Sequence, residues 1–362
     1  MQHRKLGKSG LEVSVIGLGG GMLGSSDNSY TLKVIKRAID IGVNYFDTAH
    51  SYPDSEAKLG QALKQRREEV YISSKTGATT KEDAWRHINE SLERLQTNYL
   101  DNYHLHGLRD GEDLETRLGP YGALEALIEA RERGLIHHIG CTSHRSQTLI
   151  KALQRFNFEI ILVPLNIIER EPLKELLPLC EQKGVGVTIM KPIATGLLPA
   201  ELALKWLLNQ AIDTTVPGAT TIEEIETDAR VGQLTDITLN AEEERRIERL
   251  VQKLQNRRCR ICTECEPCPR DIPIGSTLGT DVMYDHYRTM GPKAFREFAW
   301  SAERVKQEIQ KRKTTISAIR SCNHCGDCER KCPSGLPIVK MLHDMIKPME
   351  VMLQLWHEEL GT

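Results

Sequence analysis

Between Leu11 and Leu254, short β-branched runs alternate eight times with amphipathic stretches, and few architectures accommodate that rhythm. The runs are VSVIGLG (13–19), VNYFDTA (43–49), VYISSK (70–75), LDNYHLH (100–106), HHIGCTS (137–143), EIILVPLN (159–166), VGVTIMKP (185–192) and IDTTVPG (212–218). The stretches between them carry helical spacing; in LEALIEARERG, Leu124, Leu127 and Ile128 recur on one face. Gly42, Gly134 and Gly184 close three of these helices, where a left-handed cap suits glycine. Eight strands and eight helices in about 240 residues predict a (β/α)8 TIM barrel. The competing architecture is a doubly wound open sheet. Its best support is Gly19, Gly21 and Gly24, which satisfy G-x-G-x-x-G after a strand, with Asp47 beyond. No helix starts at Gly24, however, because SSDNSY intervenes where a phosphate would need a helix N-terminus.

The pattern changes after Leu254. Strand periodicity ends, and cysteine runs, prolines and two long helical stretches near 293–313 and 336–358 take its place. We therefore expect a barrel over 1–255 and a small, mainly α-helical domain over 256–362, with the boundary near 255–257. The short basic runs Arg257–Arg258 and Lys311–Lys313 read as solvated faces.

Eight of the ten cysteines fall in the second domain. One run is Cys259-x2-Cys262-x2-Cys265-x2-Cys268-Pro269, and the other is Cys322-x2-Cys325-x2-Cys328-x3-Cys332-Pro333. The second has bacterial ferredoxin spacing, and the first is one residue shorter before its last cysteine. CPRDIPI (268–274) parallels CPSGLPI (332–338), so the runs are two copies of one unit. Three thiolates two residues apart can wrap three corners of a cubane. In two-cluster ferredoxins the fourth serves the other cluster. We expect Cys259, Cys262 and Cys265 to share a [4Fe–4S] cluster with Cys332, and Cys322, Cys325 and Cys328 to share a second with Cys268. Structural zinc on four cysteines is the competing reading, but zinc does not call for three close thiolates followed by Cys-Pro, twice. Cys141 and Cys180 stand alone among apolar neighbours and read as core residues.

A formal net charge of −2 lacks the basic excess of a nucleic-acid binder. No apolar run approaches about 18 residues, so no membrane-spanning helix is expected. MQHRKLGKSG has no apolar signal core, and clustered cysteines suit a reducing compartment, so a cytoplasmic location is expected.

Catalytic residues of an α/β barrel gather at the carboxyl ends of its strands. Asp47 ends the second run, Tyr52 follows it, Lys75 ends the third and His106 ends the fourth. A lysine beside a tyrosine favours phenolate, and an aspartate holds the lysine charged and in place. Such a tyrosine can donate a proton to a carbonyl oxygen while hydride reaches the carbon. His104 shares a strand face with His106 and reads as a core histidine.

In this order the segments FDTAHSY (46–52), SSK (73–75) and YHLHG (103–107) resemble the aldo-keto reductase family, as do RKLGKSGLEVSVIGLGGG and SEAKLGQAL. With its tail, the chain is similar to the branch carrying a C-terminal ferredoxin-like domain. The resemblance implies NADPH or NADH as hydride donor and a small carbonyl or alcohol substrate. It makes Tyr52 the proton donor, Lys75 its activator, Asp47 the partner of Lys75, and His106 the group that orients the carbonyl. It also implies cofactor contacts from Thr142, Ser143, Asn166 and Met190, and from Pro217, Gly218 and Thr220 in the PGATT loop. The family's glutamine appears as Leu162, and its arginine and asparagine at the adenosine phosphate appear as Glu224 and Asp228. A carboxylate there repels a 2′-phosphate and tilts the expectation toward NADH. The clusters imply a partner electron carrier, ferredoxin-like or other. The alternative is a redox or oxygen sensor in which the barrel binds nicotinamide without turnover; clusters serving only as structural staples are a third reading.

Overall fold

All eight predicted runs contribute to one parallel sheet. The computed structural model describes residues 1–25, 28–254, 259–260, 262, 264–279 and 302–360. The chain divides into two units, Met1–Ile247 and Glu248–Thr362. The division falls inside a helix, Ala241–Leu254, and the expected boundary at 255–257, with Arg257–Arg258, lies outside the described residues.

In the first unit the strands are β3 (Leu18–Gly19), β4 (Tyr45–Asp47), β5 (Tyr71–Thr76), β6 (Leu100–Leu105), β7 (Ile136–Thr142), β8 (Ile160–Pro164), β9 (Gly186–Met190) and β10 (Thr214–Thr215). Each lies parallel to its neighbour in sequence, from β3 to β10. The Gly17 amide donates to the Thr215 carbonyl and the Gly19 amide to the Pro217 carbonyl, each at 2.8 Å, which joins the first strand to the last. The result is a (β/α)8 barrel. Strands buried on both faces need apolar or internally satisfied side chains throughout, and every residue of LDNYHL in β6 is buried.

The first predicted run is divided. Glu12–Ser14 (β2) pairs antiparallel with His3–Lys5 (β1), and only Leu18–Gly19 joins the barrel sheet as a strand. Leu6 and Val13 of this hairpin pack with Tyr45, Ile160, Leu162 and Val216. Tyr45 and Ile160 open their strands, so the hairpin plugs the amino end of the barrel. Gly20–Ser25 forms a 3-10 turn and the first helix begins only at Asn28, so the glycine pattern builds no phosphate-binding helix start. Cys141 and Cys180 are fully buried, and burial raises both thiols, Cys180 to about 12.

The barrel interior sets a strict limit at Gly140. A Cβ there would stand 2.3 Å from His104 Nδ1 and 2.7 Å from the Ile160 carbonyl oxygen. The oxygen belongs to a paired strand and cannot yield. Gly140→Ala is expected to destabilise the protein by about 2–3 kcal/mol through overpacking, read as a lowered urea midpoint. An unchanged midpoint would show that this layer of the barrel is loose.

Among its described residues the second unit has helices and no strand: the end of Ala241–Leu254, then Ile274–Leu278, Ala302–Arg320, Asp327–Lys331, Ile338–Asp344 and Ile346–Leu360. Part of the long helical stretch expected from 293 lies outside the described residues. The sequence repeat is a structural repeat. Asp271 and Gly335 occupy matching left-handed positions at φ 54° and 57°. Their amides donate to the carbonyls of Cys268 and Cys332, and Ile272 and Leu336 are both buried. Glu266 and Glu329, each just after a third cysteine, accept the amides of Gly275 and Val339 at 2.8 and 3.0 Å. The basic run at 311–313 is only partly solvated: Lys311 and Lys313 are exposed, but Arg312 is buried beside Glu308 at 3.5 Å. Its neighbours at three- and four-residue spacing face the helix core, which the charge pattern alone conceals.

Candidate active site and cluster-binding cysteines

At the carboxyl end of the barrel β4 delivers Asp47, β5 delivers Lys75, and the chain beyond β4 and β6 supplies Tyr52 and His106. Lys75 is 1% exposed and Asp47 5% exposed, and Lys75 Nζ donates to Asp47 Oδ2 at 2.6 Å and to the Thr48 carbonyl. A buried ammonium persists where such partners compensate its lost hydration. Lys75 Nζ lies 5.1 Å from the centre of the Tyr52 ring. The Tyr52 and His106 rings meet edge to face with centroids 5.7 Å apart. The structure therefore brings all four predicted residues to one corner of the barrel.

The electrostatics refine the expectation for Tyr52. Lys75 pulls the phenol down, but burial and the Asp47 charge outweigh it, and the phenol stands above its ordinary value. It is the protonated form, the one a proton donor needs. Burial raises Asp47, opposed chiefly by Lys75. His106 is pushed down to about 3 by burial and then by Lys75, Arg117 and His144. It is a neutral imidazole near neutral pH, able to donate a ring N–H without adding charge.

Behind this corner lies a buried polar layer. Asn102 Nδ2 donates to Ser73 Oγ at 3.0 Å and to His104 Nε2 at 2.6 Å. His104 is fully buried, and burial followed by Lys75 and His106 holds it well below the usual histidine range. It is a neutral interior residue, and Gly140 provides its space.

The residues expected at the cofactor are engaged with the protein itself. Thr142 Oγ1 accepts the Gly107 amide at 2.7 Å, and Ser143 Oγ donates to the Leu108 carbonyl at 2.7 Å. Asn166 Oδ1 accepts the amides of Ile168 and Glu169, and its Nδ2 donates to Glu169 Oε2 and the Lys191 carbonyl. Met190 ends β9 and is partly buried against the interior cluster. Pro217 and Gly218 run beside Gly19. Glu224 caps its own helix, Ile222–Gln233: Oε2 accepts the amides of Thr220 and Thr221 at 2.7 and 3.1 Å, and Thr221 Oγ1 accepts the Glu224 amide. Asp228 lies behind it, raised to about 7 by burial and then by Glu224. The Thr221-x-x-Glu224 spacing announces this capping box in the sequence. Arg117, which no motif marks in the sequence, is buried beside the His106 backbone.

In the second unit Cys265, Cys268, Cys322, Cys325 and Cys328 line one cavity with about 370 Å³ of empty space, part of it open to solvent. Cys265 and Cys268 come from the first run and the other three from the second. Cys265 is raised to about 12 by burial and then by Cys259. Burial also raises Cys262, and Cys332 adds to the effect. Thiols from both runs converge here, and four such thiols are the donor set a [4Fe–4S] cluster takes.

The aldo/keto reductase family profile matches residues 15–200, half of the chain, and a 4Fe-4S dicluster domain matches residues 258–337. The uncharacterized oxidoreductase YqkF of Bacillus subtilis (strain 168) is 31% identical over 212 residues, covering 55% of this chain and 67% of that one. L-galactose dehydrogenase of Arabidopsis thaliana is 30% identical over 227 residues, covering 57% and 70%. Among solved structures, the holo form of aldo-keto reductase AKR11C1 from Bacillus halodurans aligns with a TM-score of 0.61 at 29% identity, over 69% of this chain and 96% of that one. An aldo/keto reductase from Klebsiella pneumoniae, solved in complex with NADP and acetate, gives 0.60 at 25% identity over the same shares. The chain belongs to the aldo/keto reductase family. It is an oxidoreductase of that type with a C-terminal 4Fe-4S domain. No helix among its described residues is long and apolar enough to cross a membrane.

Proposed function

We propose that the barrel interconverts a small carbonyl compound and its alcohol with a nicotinamide dinucleotide, NADH in preference to NADPH. The two C-terminal clusters carry single electrons to or from a second carrier, ferredoxin-like or other, in the cytoplasm. The observation that carries the barrel reading is the buried Lys75–Asp47 pair beside a protonated Tyr52 and a neutral His106. A complete set of reaction residues in one corner favours turnover over sensing alone.

Thr142, Ser143, Asn166, Met190, Pro217, Gly218 and Thr220 would hold the dinucleotide, with Glu224 and Asp228 toward its adenosine ribose. Glu224 already takes the Thr220 and Thr221 amides, the donors a 2′-phosphate would need, and supplies like charge instead. That donor set fits NADH. When bound, the dinucleotide supplies hydride to the carbonyl carbon. Tyr52 Oη donates the proton to the carbonyl oxygen, and Lys75 stabilises the phenolate left behind. His106 orients the same oxygen through a ring N–H. Asp47 keeps Lys75 charged and fixed. Carbonyl, reduced nicotinamide and one proton give alcohol and oxidised nicotinamide.

One cluster takes Cys259, Cys262, Cys265 and Cys332, and the other takes Cys322, Cys325, Cys328 and Cys268.

The test is the visible spectrum of anaerobically purified protein before and after each nucleotide. Brown absorbance that bleaches with NADH more readily than with NADPH is expected. Brown protein that ignores both and bleaches only with dithionite would refute electron exchange with nicotinamide. Colourless, zinc-containing protein would refute the clusters.

A further inference from the structure

Arg117 is a buried cation that the reaction above leaves without a role. It lies on the helix Glu112–Leu118 and is 2% exposed. Nη1 donates to the His106 carbonyl and Nη2 to the Thr76 carbonyl, each at 2.9 Å. Thr76 directly follows Lys75, and its carbonyl also accepts the His106 amide at 2.8 Å. One planar fork therefore fastens the carboxyl ends of β5 and β6 where Lys75 and His106 leave them. The guanidinium has little other support. Asp113 Oδ2 stands 3.7 Å from Nη1, and Nε is buried with no hydrogen-bond partner. Burying a cation this thinly compensated costs stability. A lysine could not reach two carbonyls with the same rigid geometry.

We propose that Arg117 is a positioning residue for the barrel site, fixing Lys75 and His106 relative to each other and holding positive charge behind the imidazole. The inference rests on the roles given above to Lys75 and His106. The groups facing His106 are Lys75 from β5, Arg117 from its own helix, His144 from beyond β7, and Tyr52 from beyond β4. His104 precedes it on β6. The cations among them all oppose its protonation.

The experiment compares wild type, Arg117→Met and Arg117→Lys as full chains. The His106 ring is followed by NMR in protein with 13C-labelled histidine, and NADH-dependent turnover is measured with 4-nitrobenzaldehyde. In wild type His106 stays neutral from about pH 8 to 5, where an ordinary histidine would titrate. In Arg117→Met its titration, followed to lower pH, moves upward while burial and Lys75 still hold it below the ordinary histidine range, and kcat falls about 100-fold while KM changes little. Arg117→Lys keeps His106 neutral but does not restore kcat, separating the charge from the fork. A folded Arg117→Met protein with an unmoved His106 titration, or with kcat within about twofold of wild type, overturns the proposal. If Arg117→Met does not fold, wild-type kcat in Arg117→Lys overturns the fork. If wild type itself reduces no carbonyl, the reading of the barrel fails, and the His106 titration alone decides the placement of Arg117.

Discussion

Replacing Tyr52 by Phe is expected to lower kcat by about a thousandfold, within the range that a positioned acid contributes. The change removes one oxygen and keeps the ring that meets His106 edge to face. Nothing in the Lys75–Asp47 pair depends on that oxygen, so the fold and the affinity for NADH, measured by fluorescence, should remain. The pH profile is the sharper test. Burial and Asp47 outweigh Lys75 and leave the phenol above its ordinary value of about 10. Reduction consumes the protonated form, so activity should hold through neutral pH and fall only as pH rises past that raised value. The small residual rate of the Phe variant should lack this alkaline limb. Turnover that survives the substitution would place the proton donor elsewhere and sink the mechanism.

The second large effect concerns the cysteines, where pairs of substitutions discriminate what single ones cannot. Any one of the eight thiols should cost one cluster, whichever way the runs are connected. Cys262→Ala with Cys332→Ala removes two ligands from the same cluster if the fourth cysteines cross. Iron should fall from about eight atoms per chain to about four, and the electron paramagnetic resonance of the other cluster should persist. Cys322→Ala with Cys332→Ala removes one ligand from each cluster and should abolish nearly all iron. The opposite pattern would show that each run serves its own cluster. Cys265 lines the same cavity, but the presence there of Cys268, the fourth cysteine of its run, with all of Cys322, Cys325 and Cys328 is what supports crossing.

The barrel was legible because its strands are buried on both faces, which forces continuous runs of strand-forming residues. The same continuity hid the break at residues 15–17, since VSVIGLG reads alike whether it forms one strand or two. Asp47, Tyr52, Lys75 and His106 were legible because each sits at or just beyond a strand end, and the end of a run marks the mouth of a barrel. Arg117 was not. It lies on a helix remote from any motif, and only folding places its fork against two strand ends. Glu224 has a second role that its charge alone does not announce: its spacing from Thr221 describes a helix cap. Thr142, Ser143 and Asn166 likewise look available in sequence, but their polar atoms hold neighbouring loops.

The repeated Cys-Pro turns bear on how the second unit matures. Each turn is pinned by a carboxylate that follows the third cysteine of its own run, Glu266 in one copy and Glu329 in the other. Its cysteine, however, faces the thiols of the opposite copy. With the crossed ligation proposed above, neither half of the duplication can finish its own inorganic core. Loading would then be a mutual transaction: a chain holding one cluster would already have brought both halves together, and a chain whose halves had not met would hold none.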